Sequence, residues 1–158
     1  MAKMYMAWRA LNGISGHDMG RRLLAELYAC HGEGPMPPIA IAPMGKPYFV
    51  DSDWHFSISH TKAHAFCVLA DVPVGMDAEE KDRKVPPHIM RKILSPDEWT
   101  QVVSAPAPDA AFLSIWVLKE ATAKFTGEGI RIHPSQTHFT LPDSRIQEID
   151  GCLVAVIY

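Results

Sequence analysis

The sequence predicts an α+β fold in which antiparallel strands pack against a long helix. Short runs of alternating or continuous apolar residues, bounded by glycine, proline and aspartate, are typical of strands and recur along the chain. A longer pattern over residues 109–125, with Phe112, Ile115 and Trp116 on one stripe, is typical of a helix. At 158 residues the chain is most simply one domain, residues 1–158, and is long enough to bury a hydrophobic core.

The first half of the chain combines several strand patterns with one helical pattern. Leu23, Leu24 and Leu27 form the apolar stripe of the helix. Gly45-Lys46-Pro47 marks a turn that fixes where Lys46 points. Because only Asp71-Val72-Pro73 separates the last two strand patterns, we expect those strands to form a hairpin. The predicted strands are 4–11, 39–42, 56–60, 65–70 and 74–79, and the predicted helix is 17–30.

The second half contains three helical patterns and a strand-like tail. Ser95-Pro96-Asp97-Glu98 has the pattern of a capping box, with serine at the cap and glutamate three residues later. Asp109 can cap the long helix, and Gly127 and Gly129 are expected to end it. The predicted helices are 86–94, one that opens at Ser95, and 109–125, and the predicted strands are 138–141 and 152–158.

Composition excludes several classes of protein. The net charge of -3 gives no general case for binding nucleic acid. Cys30, Cys67 and Cys152 are far apart and match neither a zinc spacing nor a disulfide framework. The first residues show no apolar signal segment, and no apolar run is long enough for a membrane span. We therefore expect a cytoplasmic protein with no nucleic-acid or membrane partner.

Two carboxylates stand at alternate positions of the predicted strand 74–79. Side chains two apart on a strand point to the same face, so Asp77 and Glu79 project together, about 7 Å apart along the strand. Two hard oxygen ligands on one face suit Mg²⁺ or Mn²⁺. The alternative is that both are solvated acids on an outer strand face.

The long helix carries a second charged group. Glu120 and Lys124 are four residues apart and share a helix face with Trp116. An ordinary helical ion pair is the simplest interpretation. A third carboxylate beside Asp77 and Glu79 would instead complete a divalent cation site, and Lys124 could then neutralise phosphate oxygens.

Three further positions are weaker candidates when taken alone. Ser59-His60 ends a predicted strand, and a lone histidine is more often structural; a serine-hydrolase function lacks its G-x-S-x-G motif. Lys46 can be an ordinary loop lysine after a turn. Glu98 already has a role in the capping box.

Taken in order, these pieces resemble one family. Gly45-Lys46-Pro47, the strand 56–60, Gly75-Met76-Asp77-Ala78-Glu79 and the helix stretch 116–124 follow each other as in the 4'-phosphopantetheinyl transferase family of the surfactin-synthetase-activating type. The resemblance covers about residues 45–130. It implies transfer of the 4'-phosphopantetheine arm of coenzyme A to a serine of an apo acyl or peptidyl carrier protein, with Mg²⁺ and release of adenosine 3',5'-bisphosphate.

The resemblance also implies residue roles. It assigns Asp77, Glu79 and Glu120 to Mg²⁺, with Mn²⁺ as an alternative ion; Lys46, Pro47, Ser59, His60 and Lys124 to coenzyme A; and Glu98 as general base beside Glu120 and Lys124 in catalysis.

The family resemblance further implies two related α+β halves facing each other, at about residues 1–72 and 73–158. A monomer and a self-associated oligomer both remain open. Arg83, Lys84, Arg91 and Lys92 could meet an acidic carrier, or could be scattered solubilising charge. Two other functions also remain open: a non-catalytic protein that binds coenzyme A or a carrier, and a metal-dependent hydrolase of a pyrophosphate-containing small molecule.

Overall fold

The structure is a computed structural model that describes residues 1–127 and 134–158. Those residues form eight strands, four α-helices and a short 3₁₀ turn at Pro134–Gln136. The strands are β1 (Met4–Ala10), β2 (Ile39–Ile41), β3 (Pro47–Phe49), β4 (His55–His60), β5 (His64–Ala70), β6 (Gly75–Glu80), β7 (Ile146–Ile149) and β8 (Cys152–Ile157). The helices are α1 (Gly16–His31), α2 (Pro87–Ile93), α3 (Pro96–Ser104) and α4 (Pro108–Thr126).

Two three-stranded antiparallel sheets share one topology. The first has the order β1-β5-β4 and the second has the order β6-β8-β7. In each sheet, the last of the three strands in chain order lies in the middle. In each unit, a long helix, α1 or α4, comes between the first and second strands of the sheet in chain order. The α+β prediction is therefore confirmed. The division into pseudo-repeat halves near residue 72 stays a prediction, which the shared strand order favours.

Apolar side chains fill the space on both sides of each sheet. The leucines of α1 pack on one face of the first sheet, and α4 packs on the outer face of the second. Between the sheets lies a third cluster, in which Phe66 and Val68 of β5 meet Met76 and Ala78 of β6. Because β5 is buried on both faces, its sequence is a continuous apolar run rather than an alternation.

The predicted hairpin between residues 65–70 and 74–79 is wrong. β5 lies between β1 and β4, so both of its edges are already paired. The chain after β5 crosses to the other sheet, where β6 pairs with β8 and Asp77 lies opposite Ala155. A short connection therefore joins two sheets here instead of two neighbouring strands.

The predicted strand at 138–141 is also wrong. The side chains of α3 bind this segment: Phe139 N donates to Glu98 Oε2 and Leu141 N to Gln101 Oε1, each at 2.9 Å. Gln101 Nε2 donates in return to Phe139 O at 2.9 Å. Two side chains thus satisfy the backbone groups that a neighbouring strand would otherwise bind.

Strand β7 was missed although the sequence carries a signal for it. It pairs with β8 across Asp150-Gly151, whose φ angles are +48° and +75°. An Asp-Gly pair with positive φ at both residues is a strong indicator of a two-residue hairpin.

The ends of α4 differ in part from the prediction. Ala107 is the N-cap, because Pro108 starts the helix one residue early. Asp109 instead accepts a hydrogen bond from Val85 N at 3.4 Å. Gly127 ends the helix in the left-handed region, at φ +68°, as predicted. Gly129 lies outside the described residues. Among the helices of 1–127 and 134–158, none combines the length and hydrophobicity needed to cross a bilayer.

Candidate active site

Gly75 allows α4 to lie directly on β6. A Cβ atom at this position would lie 2.2 Å from Phe125 N and 2.3 Å from Ala121 O, both in the backbone of α4. Only glycine permits an approach this close. The contact brings the face of α4 that carries Glu120 and Lys124 over the acidic residues of β6.

Three carboxylates lie on these two elements: Asp77 and Glu79 on β6 and Glu120 on α4. Lys124 Nζ lies 2.9 Å from Asp77 Oδ1, and Trp116 Nε1 donates to Glu79 Oε1 at 3.2 Å. Glu120 lies on α4 one turn from both Trp116 and Lys124. Burial raises the pKa of Glu120, and the negative charges of Asp77 and Glu79 raise it further, against the opposing effect of Lys124. The acids predicted from two distant stretches of sequence therefore share one electrostatic environment.

Asp77 is the most buried of the three acids, with 7% of its surface exposed. Its Oδ1 accepts from Ser59 Oγ at 3.1 Å and from Lys124. Its Oδ2 is buried and has no hydrogen-bond partner within the described part of the chain. Burial raises the pKa of Asp77, and Lys124 only partly opposes this. An unpaired buried carboxylate oxygen is a position that a cation would stabilise.

The donor set suits a hard divalent cation, although the acids do not converge as ligands in this arrangement. Within residues 1–127 and 134–158, no group of three or more histidine, cysteine or acidic side chains is arranged to hold a metal ion. Glu79 Oε2 pairs with Arg83 Nη1 at 2.9 Å, as Asp77 pairs with Lys124. Carboxylate oxygens and the unpaired Asp77 Oδ2 nevertheless fit the chemistry that Mg²⁺ requires.

Two serines of β4 join the first sheet to the acidic strand. Ser57 Oγ accepts from Met76 N at 3.0 Å, and Ser59 Oγ accepts from Ala78 N at 3.1 Å. Ser59 also donates to Asp77, so it holds the acid in place from the other sheet. Sequence reasoning assigned no role to Ser57. The signal was its spacing of two residues from Ser59, which puts both hydroxyls on one face of β4.

Lys46 lies at the junction of the two sheets. Its Nζ donates to Val74 O and Phe125 O, each at 3.2 Å. Phe125 O is near the C-terminal end of α4, where a cation is favoured. Burial lowers the pKa of Lys46.

A cavity of about 270 Å³ is lined by residues at the start of β3 and by residues of α4. Lys46 and Pro47 line one side of it, and Glu120 and Lys124 line the other. Phe56 and its neighbours on β4 supply apolar surface. The cavity is thus bounded by both sheet-and-helix units of a single chain.

His60 lies elsewhere, in a second cavity of about 780 Å³. This cavity shares Glu79 with the acidic site and is also lined by Lys62 and Arg83. The His60 ring lies against the first turn of α1, because a Cβ at Gly16 would be 2.3 Å from His60 Cγ. His60 and Lys46 therefore line separate cavities, the first with Glu79 and the second with Glu120.

Glu98 is fully buried at the α3–α4 junction. Its Oε1 accepts from Ser95 N and pairs with Lys119 Nζ, each at 2.8 Å, and its Oε2 accepts from Phe139 N at 2.9 Å. The predicted capping box is confirmed. Glu98 lines neither of the two cavities described above. Its catalytic role stays a prediction.

Lys119, the partner of Glu98, also hydrogen-bonds Pro134 and Thr137, which lie beyond α4 in the chain. Its Nζ donates to Pro134 O, to Thr137 O and to Thr137 Oγ1. Burial lowers the pKa of Lys119, and Glu98 opposes this shift. Sequence reasoning missed this buried ion pair, because its two residues are far apart in the chain.

Comparison with known proteins gives consistent matches. The family model of the 4'-phosphopantetheinyl transferase superfamily matches residues 73–153, about half of the chain. The 4'-phosphopantetheinyl transferase psf-1 of Bacillus pumilus is 33% identical over 122 residues, which cover 74% of this chain and 50% of that protein. The 4'-phosphopantetheinyl transferase gsp of Aneurinibacillus migulanus is 33% identical over 90 residues, which cover 56% of this chain and 37% of that protein.

The matched region contains both acidic elements of the site, β6 and α4. The chain spans half or less of the length of these two relatives. The match over residues 73–153 shows that the chain belongs to the 4'-phosphopantetheinyl transferase superfamily.

Proposed function

We propose that the protein transfers the 4'-phosphopantetheine arm of coenzyme A to a serine of an apo acyl or peptidyl carrier protein. The observation that carries this proposal is the ion pair between Asp77 of β6 and Lys124 of α4, beside a cavity that Lys124 and Glu120 share with Lys46 and Pro47. Family membership and the names of the two relatives support the same reaction.

The reaction breaks a bond in the coenzyme A pyrophosphate. The carrier serine oxygen forms a new bond to the phosphorus of the phosphopantetheine arm, adenosine 3',5'-bisphosphate leaves, and the serine proton passes to a base. In-line transfer of this kind depends on positioning and on neutralising phosphate charge. Asp77, Glu79 and Glu120 would hold Mg²⁺ or Mn²⁺, which neutralises pyrophosphate charge when bound.

The cations around the acids would bind the coenzyme. The Lys124 side chain is 34% exposed and lines the cavity, so its ammonium group could bind a phosphate oxygen there. Lys46 and Pro47 lie across the same cavity. Ser59 and His60 would contact the coenzyme's phosphates on the other side of the acids. Glu98 is the proposed base from its motif.

The carrier would approach the basic residues near the acidic strand. Arg83 lines the cavity that contains His60. Arg91 of α2 lies over the Trp99 ring, with its Cζ atom 4.9 Å from the ring centroid. Because the cavity between β4 and α4 is built within one chain, a monomer would suffice for this site. The three cysteines are free, as is usual in the reducing cytoplasm, which we propose as the location.

The proposal is tested with coenzyme A, Mg²⁺ and a panel of apo-carriers, with mass spectrometry to detect the added arm. Glu120→Gln should reduce transfer at least 100-fold, because the third oxygen ligand is weakened while the helix is kept. Glu26→Gln, on the exposed side of α1 where it pairs with Arg9, is the matched control and should keep full activity.

Other outcomes would replace the proposal. Full activity of Glu120→Gln would exclude its role in the site. Coenzyme A binding without transfer to any carrier would favour a binding protein. Release of adenosine 3',5'-bisphosphate without a carrier would favour a hydrolase.

A further inference from the structure

The two oxygens of Glu79 are held by two different side chains. Trp116 Nε1 on α4 donates to Oε1 at 3.2 Å, and Arg83 Nη1 lies 2.9 Å from Oε2. The Arg83 side chain is 55% exposed, whereas that of Glu79 is 19% exposed. One contact therefore comes from the packed helix and the other from the protein surface.

The helix contact is the more rigid of the two. The Trp116 ring stacks on Phe112, with ring centroids 6.3 Å apart and planes 12° apart, and Phe112 is buried in the α4 core. An indole N–H can only donate, so its orientation toward a carboxylate is unambiguous. An exposed arginine, by contrast, moves readily and its ion pairs are weak.

Without the indole N–H, Arg83 would be the only hydrogen-bond donor to the Glu79 carboxylate within the described residues. No other hydrogen bond to Glu79 Oε1 occurs within the described residues. The carboxylate could then follow the exposed Arg83, which lines a cavity with His60 and Lys62, and leave α4.

We propose that Trp116 is a positioning residue, whose indole N–H holds the Glu79 carboxylate against α4, the helix that carries Glu120. This inference rests on the proposed function, in that Asp77, Glu79 and Glu120 together hold the divalent cation. Groups that hydrogen-bond a metal-binding carboxylate typically change metal affinity by about 10- to 100-fold.

The test measures Mn²⁺ binding to the free protein by electron paramagnetic resonance, with the metal alone as the probe. Trp116→Phe keeps an aromatic ring against Phe112 but lacks the donor, so Mn²⁺ affinity should fall about 10-fold or more. Trp54→Phe, a partly buried tryptophan that packs near Tyr5 in the first unit, is the matched control and should bind as the wild type does.

A second variant separates the hydrogen bond from the packing. Site-specific replacement of Trp116 by 3-benzothienylalanine exchanges the N–H for sulfur and keeps the size of the ring. It should lose Mn²⁺ affinity as Trp116→Phe does, while its thermal unfolding matches the wild type. In transfer assays both variants should require more Mg²⁺ for half-maximal rate, with a smaller change in kcat at saturating Mg²⁺.

The possible failures are distinguishable. If the wild type binds Mn²⁺ and both variants bind it within two-fold, the positioning role of Trp116 is wrong and the proposed function is unaffected. If the wild type itself binds no Mn²⁺, the metal site of the proposed function fails and the inference fails with it.

Discussion

At the residue scale, the buried carboxylate of Asp77 is the centre of the charged and polar contacts of the site. It is held by Ser59 from one sheet and by Lys124 from α4, yet one of its oxygens is buried without a partner within the described residues. Burial disfavours the charged form of Asp77 more than the attraction of Lys124 favours it, so the pKa of Asp77 is raised above the ordinary value of 3.8. In the metal-free protein, Asp77 therefore destabilises the fold when it ionises.

This sign gives a pH prediction for Asp77→Asn. An acid whose pKa is raised by folding contributes most stability below its unfolded value and loses that contribution as pH rises through its folded value. The wild-type free energy of unfolding should therefore fall relative to that of Asp77→Asn as pH rises from about 4 to 8, by up to about 1.4 kcal/mol per pH unit. Urea unfolding with a chelator present measures this difference.

Asp143 supplies a control of opposite sign. Its hydrogen bonds from Arg145 lower its pKa, so its stabilising effect is complete above 3.8 and is lost only as pH falls below that value. The difference between the wild type and Asp143→Asn should stay flat from about pH 5 to 8. A flat curve for Asp77→Asn as well would show that burial does not disfavour its charge.

At the scale of elements, the buried pair Glu98–Lys119 joins α3, α4 and the segment 134–139. Glu98 closes the capping box of α3 and binds the backbone of Phe139, while Lys119 binds Pro134 and Thr137. Side-chain contacts of this kind hold the segment 134–139 in place without pairing it to a strand. Glu98, which the family resemblance assigns as general base, is thus also one half of a buried ion pair.

Breaking this pair should be costly from either side. Glu98→Gln and Lys119→Met should each reduce the free energy of unfolding by about 3–5 kcal/mol, because the remaining charge or polar groups stay buried. Ser95→Ala, which removes only the serine half of the capping box, should cost about 1 kcal/mol. Urea unfolding of the three variants measures the difference.

Transfer measured on the folded fraction of the same variants then tests the assignment of the base. A loss confined to Glu98→Gln would support proton abstraction by Glu98. An equal loss in Lys119→Met would contradict a special chemical role for the carboxylate and would assign the effect to the pair's structural role.

The elements differ in how far sequence predicts them. Local signals predicted the capping box at Ser95 and the glycine that ends α4, because cap residues act on their own neighbours. The hairpin prediction at Pro73 failed because pairing of β5 with β1 is set by residues about 60 positions away. Alternation on β6 and helical spacing on α4 predicted which acids share a face within each element, whereas the family resemblance was needed to bring the two elements together. Trp116 and Ser57 were not assigned, since their roles depend on which elements lie opposite them.

At the scale of the whole molecule, the two sheet-and-helix units are joined by a common core and by polar contacts. Phe66 and Met76 belong to the apolar cluster between the sheets. Ser57 and Ser59 of one sheet hydrogen-bond the backbone of β6 in the other. Lys46, in the turn before β3, adds hydrogen bonds to the backbone of Val74 before β6 and of Phe125 in α4. We therefore expect the units to fold as one cooperative body.

Ser57→Ala tests the polar part of this junction. Without the hydroxyl, the buried Met76 N–H loses its acceptor, which should cost about 1–3 kcal/mol. Thermal unfolding should shift down by roughly 2–4 °C for each kcal/mol in a chain of this size. Ser104→Ala removes an exposed serine hydroxyl on α3 and should change stability by no more than about 0.5 kcal/mol. Equal, small effects in both variants would contradict a structural role for the β4 hydroxyls.

The serine link from β4 to β6 has a consequence for engineering. The Ser59 hydroxyl that hydrogen-bonds the buried Asp77 of β6 belongs to the other unit, so a cut in the loop at residues 71–73 would place Asp77 and Ser59 on different fragments. Two fragments made there would recover the acid's native orientation only on reassembly.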